Sequence, residues 1–400
     1  MAIEYRAPKN TEELNNTLEC IAYAFGGGRE WALPFFTNIA IKDPWFALQN
    51  LRVCFVNGKA VSAVEIFDRT VRYGSSSIRM AGIGSVGTHP DHRRAGYSIE
   101  VLKDTVHAMR DQGYDFSLLW AGVPNHYRRM GWMHHPEYHQ EITIPETIPQ
   151  PSGNTTIETC DLQHDVTELQ TIYNHFNNNR TGTLIRTEEY WIKQPQWRNY
   201  DPDRFYIARK NGHIVAYLKT KASELQELGY LPEGEAEIKD LLIHFFNRAQ
   251  NEEHEKINAH LPAETYSLLA EMGYSIRRTE NRNSMLRLVN TTSLLTKIIP
   301  ELEHRLKASE HTTYSGTIRL TCEMGTQSLT IQNGQITPTD NAPDIELIAG
   351  QTQLLGLLFG AISADHIAFT NALPLTDHQI AIINALFPSD EFFLWGTDRF

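Results

Sequence analysis

Apolar positions recur three and four apart through "EELNNTLECIAYAF" near the start of the chain, the period of a helix with one buried face. The period then shortens. "LRVCFVNGKAVSAVEIF" reads as two strands around Asn57-Gly58, a dipeptide suited to a two-residue hairpin turn, and "SIRMAGIGSV" reads as a further strand. Beyond a basic stretch, Ile99, Leu102, Val106 and Met109 share one face of a helix that Gly113 ends. "YDFSLLWAG" has the length and apolar content of a buried strand, and "NHYRRMGW" predicts a short helix closing at Gly131. A Pro-, Ser- and Gly-rich segment, "PETIPQPSGNT", predicts a linker at 145–155.

Part of this order returns further along. "RFYIARKNGHIVAYLKTK" is again a hairpin, around Asn211-Gly212, and Met272-Gly273-Tyr274 echoes Met130-Gly131-Trp132. The second block has "EIKDLLIHFFNRAQ" where the first carries its basic turn, so it reads as a copy that kept the scaffold and lost an anion site. From about residue 291 the texture changes again. "TIRLTCEMGTQSLTIQNGQITPT" predicts antiparallel strands, followed by apolar-faced helices in "QTQLLGLLFGAI" and "DHQIAIINALF", the layout of a separate α+β domain.

Composition narrows the function classes. A net charge of −12 argues against nucleic acid as a partner. No apolar run approaches a membrane span, and the first residues lack the basic-then-apolar layout of a signal peptide. Cys20, Cys54, Cys160 and Cys322 are scattered, which fits neither a disulfide framework nor a zinc site and suits a reducing cytoplasm. His134, His135 and His139 have no companion cluster of Cys or carboxylates, so they read as a polar loop and no metal is expected.

The chemistry concentrates in "GSVGTHPDHRRAGYS" at 84–98. A strand leading through a basic, glycine-bearing turn into a helix N-terminus aims several unpaired N–H groups in one direction, where the helix dipole favours an anion. Gly96 would let a phosphate approach the backbone, and Arg93 and Arg94 would neutralise its charge. From these residues alone, a solvated basic turn capping a helix is an equally open reading.

The order helix, hairpin, strand, basic turn, helix, strand, aromatic short helix resembles the GNAT acyltransferase superfamily. Its phosphate loop, [RQ]-x-x-G-x-[GA], corresponds to Arg93-Arg94-Ala95-Gly96-Tyr97-Ser98, with Ser departing in the last place. With "HYRRMG" and the ending "DEFFLWGTDRF", nearly the whole chain resembles acetyltransferases of the enhanced-intracellular-survival (Eis) type. The fold implied is α/β (α+β): a catalytic GNAT domain at 1–148, a degenerate second GNAT-like domain at 149–290, both with mixed central sheets, and a sterol-carrier-like α+β domain at 291–400.

The resemblance implies acetyl-coenzyme A as co-substrate and no metal. Its pantetheine would lie along Val86, Gly87 and Thr88, its pyrophosphate on Arg94, Ala95, Gly96, Tyr97, Ser98 and Ile99 with Arg93 nearby, and further contacts would come from Gly122 and Val123. Tyr127 would act as general acid toward the leaving thiolate, and the carboxylate of Phe400, taken as the chain terminus, as general base. The acceptor implied is an amine, aminoglycoside-like, polyamine or lysine, in a cytoplasmic homo-oligomer, with a hexamer as the family's form. A catalytically inactive lipid or small-ligand carrier is the alternative. "GGGREW" at 26–31 reads as a flexible substrate-facing loop, with Trp31, Phe36 and Trp45 as candidate lining.

Overall fold

The computed structural model describes residues 2–26, 28–153, 155–196 and 201–400. The first block runs β1 (Ile3–Arg6), α1 (Thr11–Ala24), α2 (Leu33–Lys42), β2 (Leu51–Val56), β3 (Lys59–Tyr73), β4 (Ser76–Thr88), α3 (Tyr97–Asp111), β5 (Phe116–Trp120), α4 (Pro124–Arg128) and β6 (Met133–His134). Asn10 starts α1: its side-chain oxygen accepts the Glu13 amide at 2.9 Å, and Leu14, Leu18 and Ile21 then bury one face. Asn57 and Gly58, at φ 48° and 82°, reverse the chain between β2 and β3. Val101, Leu102 and Met109 of α3 pack on the sheet with Val64, Ile66 and Ala81, each fully buried aliphatic side chain contributing about 1.5–3 kcal/mol.

The second block comprises β7 (Tyr138–Thr143), β8 (Thr156–Thr159), α5 (Leu162–Asn177), β9 (Thr181–Leu184), α6 (Glu188–Lys193), β10 (Phe205–Lys210), β11 (His213–Lys221), β12 (Glu224–Tyr230), α7 (Glu235–Asn251), β13 (Lys256–Ala259), α8 (Thr265–Glu271), β14 (Ser275–Glu280) and β15 (Ser284–Leu288). The stretch between β7 and β8, where a linker is expected, is coil with bends, with Asn154 outside the described residues, and the two strands it joins belong to one sheet. In both blocks a hairpin leads to a strand, a crossover helix and a parallel strand: β4, α3, β5 in one and β12, α7, β13 in the other. The start of α7 carries Glu233, Glu235 and Glu237, charges that repel a phosphate.

The sheets exchange strands. The first has the order β1-β2-β3-β4-β5-β15-β6, with β9 also on β3, and the second β14-β7-β13-β12-β11-β10-β8. Strand β7 precedes the expected boundary at 148 yet pairs with β13 and β14; β15 falls within the expected second domain yet lies between β5 and β6. Alternation within each strand is satisfied in either sheet, so the pattern carries no sign of which partner a strand takes.

The third block is α9 (Thr291–Lys297), α10 (Ile299–Ala308), β16 (Gly316–Cys322), β17 (Gly325–Gln332), β18 (Gln335–Thr339), β19 (Ile345–Ile348), α11 (Gln351–Leu358), α12 (Ala364–Thr370) and α13 (Asp377–Leu386). Its four-stranded sheet has the order β18-β17-β16-β19, and its helices share one hydrophobic core with Val71, Ile78 and Phe116 of the first block. The whole is a mixed α/β architecture, and no described helix is long and apolar enough to cross a membrane.

The last residues leave this domain and run between the other two. The Phe393 amide donates to the Thr181 carbonyl at 2.8 Å, and Trp395 Nε1 to Asn177 Oδ1 at 3.1 Å. Asp398, 1% exposed, accepts from Arg186 Nη2 at 2.8 Å and from the Tyr190 hydroxyl at 3.0 Å, while the same guanidinium grips Glu227 through two bonds of 2.7 Å. Burial alone would raise the Glu227 carboxyl, but Arg186 and Lys219 hold it down at about 2.

Candidate active site

A cleft opens where β4 and β5 part. The two strands pair in parallel only from Met80–Phe116 to Gly82–Leu118; beyond that β4 runs on to Thr88 without β5. The cause lies on the other side of β4. The β3–β4 register shifts between Ala63–Gly87 and Glu65–Gly84, so Ser85 and Val86 stand opposite one residue, and Ser85 takes a φ of 51°. Such a bulge bends its strand and leaves backbone groups unpaired. The resulting cleft has a volume of about 800 Å³.

Of the residues singled out by sequence, Val86, Gly87, Thr88, Ser98, Gly122, Val123, Tyr127 and Phe400 all line this cleft. They come from five places in the chain: the end of β4, the start of α3, the turn after β5, α4, and Phe400. Arg93, Arg94, Ala95, Gly96, Tyr97 and Ile99 do not line it; they form the exposed turn and first helical turn flanking Ser98. Gly96 sits at φ 82° as the N-cap of α3, a backbone that disfavours side chains, and the space above it is open. No side chain caps α3, so its first N–H groups remain for a ligand. Arg93 is turned back: its Nη2 donates to the Ala24 carbonyl at 2.9 Å. A pantetheine along β4 with a pyrophosphate at α3 fits this set of donors.

Phe400 is seated by close approach. Its ring stacks on Phe67 at 5.1 Å between centroids and tilts against Trp120 at 5.2 Å. A Cβ on Gly82 would fall 2.4 Å from that ring, so only glycine admits it here. The main-chain carbonyl carbon of Phe400 lies 3.5 Å from where a Cβ on Gly84 would stand, beside the bulge. Tyr127, on α4, packs edge-on to Trp132 at 6.3 Å, and burial pushes its hydroxyl up to about 12.

Three further groups carry no signal in the residue spacing. His126 Nε2 lies 2.9 Å from Ser98 Oγ, and burial, then Arg129, lowers its pKa. Ser85 Oγ donates to Glu65 Oε2 at 2.8 Å. Glu65 is 2% exposed, and burial pushes its carboxyl up to about 8, with the Ser85 bond opposing. The folded protein therefore holds this proton more tightly than the unfolded chain between about pH 4.5 and 8, and stability falls as pH rises across that window. Glu65→Gln should remove this slope, worth on the order of 4–5 kcal/mol at full amplitude. Urea titrations at pH 5 and pH 8 measure it, and parallel losses in both proteins would refute it.

"GGGREW" is not an open loop: Gly28–Ala32 is π-helical and continues into α2, with Gly27 outside the described residues. Trp31 and Phe36 line the cleft, whereas Trp45 stacks on Tyr190 at 4.7 Å, against the second block. Among the described residues, Glu137, His139 and His260 bring possible ligand atoms within 4.8 Å of one another. A cation already serves there: the Arg399 guanidinium bonds Glu137 and, at 2.9 Å, His139 Nε2.

The splayed parallel pair, the bulge and the uncapped helix all lie within one segment of the chain. Residues 4–135 match the family model for the acetyltransferase (GNAT) domain. Over its full length the chain is similar in fold to a conserved Enterococcus faecalis V583 protein of unknown function, a probable N-acyltransferase (18% identity, 100% of both chains, TM-score 0.76). It is similar also to a GCN5-related N-acetyltransferase from Anabaena variabilis (17%, 98% of this chain and 99% of that one, 0.72) and to Eis1 from Mycobacterium abscessus (15%, 100% of both, 0.64). No curated protein matches by sequence.

Proposed function

We propose that the protein is an acetyl-coenzyme A-dependent N-acetyltransferase that transfers the acetyl group directly to an amine within a ternary complex. The observation that carries this reading is the convergence of Tyr127 and Phe400 on one cleft whose far end is the open N-terminus of α3. In this reading the thioester lies along Val86–Thr88, and the unpaired β4 backbone holds its amides much as an added strand would. The amine nitrogen attacks the thioester carbonyl, its proton passing to the main-chain carboxylate of Phe400, directly or through water. As the tetrahedral intermediate collapses, the C–S bond breaks and Tyr127 protonates the departing sulfur; its phenolate then recovers a proton from the site. Placing the reactants side by side supplies much of the rate. The second block serves as a degenerate copy and the third as a sterol-carrier-like cap whose final residues deliver Phe400.

Calorimetry with acetyl-coenzyme A, paired with detection of free thiol on adding amines, tests this. Binding followed by amine-dependent thiol release is expected. No binding overturns the acyltransferase reading, and binding without release to any amine favours a carrier.

A further inference from the structure

We propose that the acceptor is a primary amine with a single charge and an apolar, aromatic or branched body, and that polycationic amines are poor acceptors. This rests on the acetyltransferase reading above and narrows its substrate class.

The acceptor side of the cleft faces α1, the π-helical turn and α2. Trp31 and Phe35, four residues apart, project from one helical face and remain 57% and 45% exposed. Phe35 packs edge-on to Phe36 at 5.2 Å, and Phe36 meets Phe25 at 4.8 Å. Phe67 and Trp120, both in contact with the Phe400 ring, line the same cleft. Large aromatic side chains left in water around a concave site mark a surface meant to be covered.

Charge makes the same point. The chain has a net charge of −12, yet none of the described residues lining this cleft is Asp, Glu, Lys or Arg. The long-range field attracts any cation to the protein. Inside, the one carboxylate in our reading is that of Phe400, which matches a single ammonium. Each further ammonium of a polyamine or aminoglycoside would lose water against aromatic faces with no ionic partner. Ring faces do attract cations, but they do not replace a full solvation shell at several centres.

The test compares single-charge alkylamines of increasing length, phenethylamine, 1,4-diaminobutane, spermidine and an aminoglycoside, by kcat/KM for thiol release. We expect a rise of about fourfold per added methylene, and at least a tenfold preference for pentylamine over 1,4-diaminobutane, its near-isostere with a second charge. The exposed position of Trp31 permits Trp31→Glu and Trp31→Gln without loss of fold. The Glu variant should shift the diamine-to-monoamine ratio at least tenfold toward the diamine, and the Gln variant should not. Preference for spermidine or the aminoglycoside in the native protein, while thiol is still released, overturns this inference and leaves the acetyltransferase reading standing. If no amine supports thiol release, that reading fails, and binding decides the inference: phenethylamine should quench tryptophan fluorescence in the presence of coenzyme A and spermidine should not. The reverse order overturns the inference.

Discussion

Tyr127→Phe is expected to lower turnover by about 10²–10³-fold, the scale of a lost general acid, while acetyl-coenzyme A affinity changes by less than about threefold. The substitution removes one oxygen and keeps the ring, so the packing against Trp132 survives. What it removes is a proton donor. Expelled as an anion in an apolar cleft, the thiolate is a poor leaving group, and protonation as the C–S bond breaks lowers that barrier. Because burial pushes Tyr127 up to about 12, the hydroxyl stays protonated through the neutral and mildly alkaline range. Activity should therefore show no falling limb from this group below about pH 11. Steady-state kinetics and calorimetry on the same preparation measure both quantities. Turnover within about threefold of the native protein would remove Tyr127 from the mechanism.

Arg186→Met should destabilise the protein by about 3–5 kcal/mol, because it leaves Glu227 and Asp398 buried without their shared cation. That is a large share of the roughly 5–15 kcal/mol that holds a typical domain folded. The change also reaches the site. Asp398 stands two residues from Phe400, and the next residue, Arg399, is tied to Glu137 and His139 and lies 4.9 Å over the Trp120 ring. With Asp398 repelled by Glu227, residues 396–400 should gain hydrogen exchange well before the rest of the chain unfolds. Urea titration gives the first quantity and exchange mass spectrometry the second. Adding Glu227→Gln and Asp398→Asn should restore most of the loss, since the uncompensated charges go with them. A cost below about 1 kcal/mol for Arg186→Met would mean that water reaches the cluster and screens it.

The elements of the first block follow closely from the chain's periodicity, because their signals are local. Asn57-Gly58 turns where a type I′ hairpin needs it, Gly96 and Gly113 bracket α3, and Gly131 follows α4. Most of the cleft is legible for the same reason: the end of β4, the α3 start and Tyr127 each belong to a short run of residues. What escapes the sequence depends on partners far away. Strand β3 extends beyond Phe67 through Asp68, Arg69 and Arg72, polar residues that break an apolar pattern. They fit because Arg69 pairs with buried Asp43 at 2.6 Å and Arg72 donates to the Leu184 carbonyl at 2.8 Å. Arg186 lies 41 positions from Glu227 and 212 from Asp398, and no spacing rule links them. Glu65 looks like any strand carboxylate until burial is known.

The strand exchange limits how far this protein can be cut apart. Excising the matched segment 4–135 would retain every cleft residue except Phe400, yet strip β15 from the outer side of β5. The bare backbone from Phe116 to Trp120 would then be free to recruit copies of itself. Excision of that segment should therefore yield an aggregate, because each sheet is completed by a strand that lies in sequence beside the other.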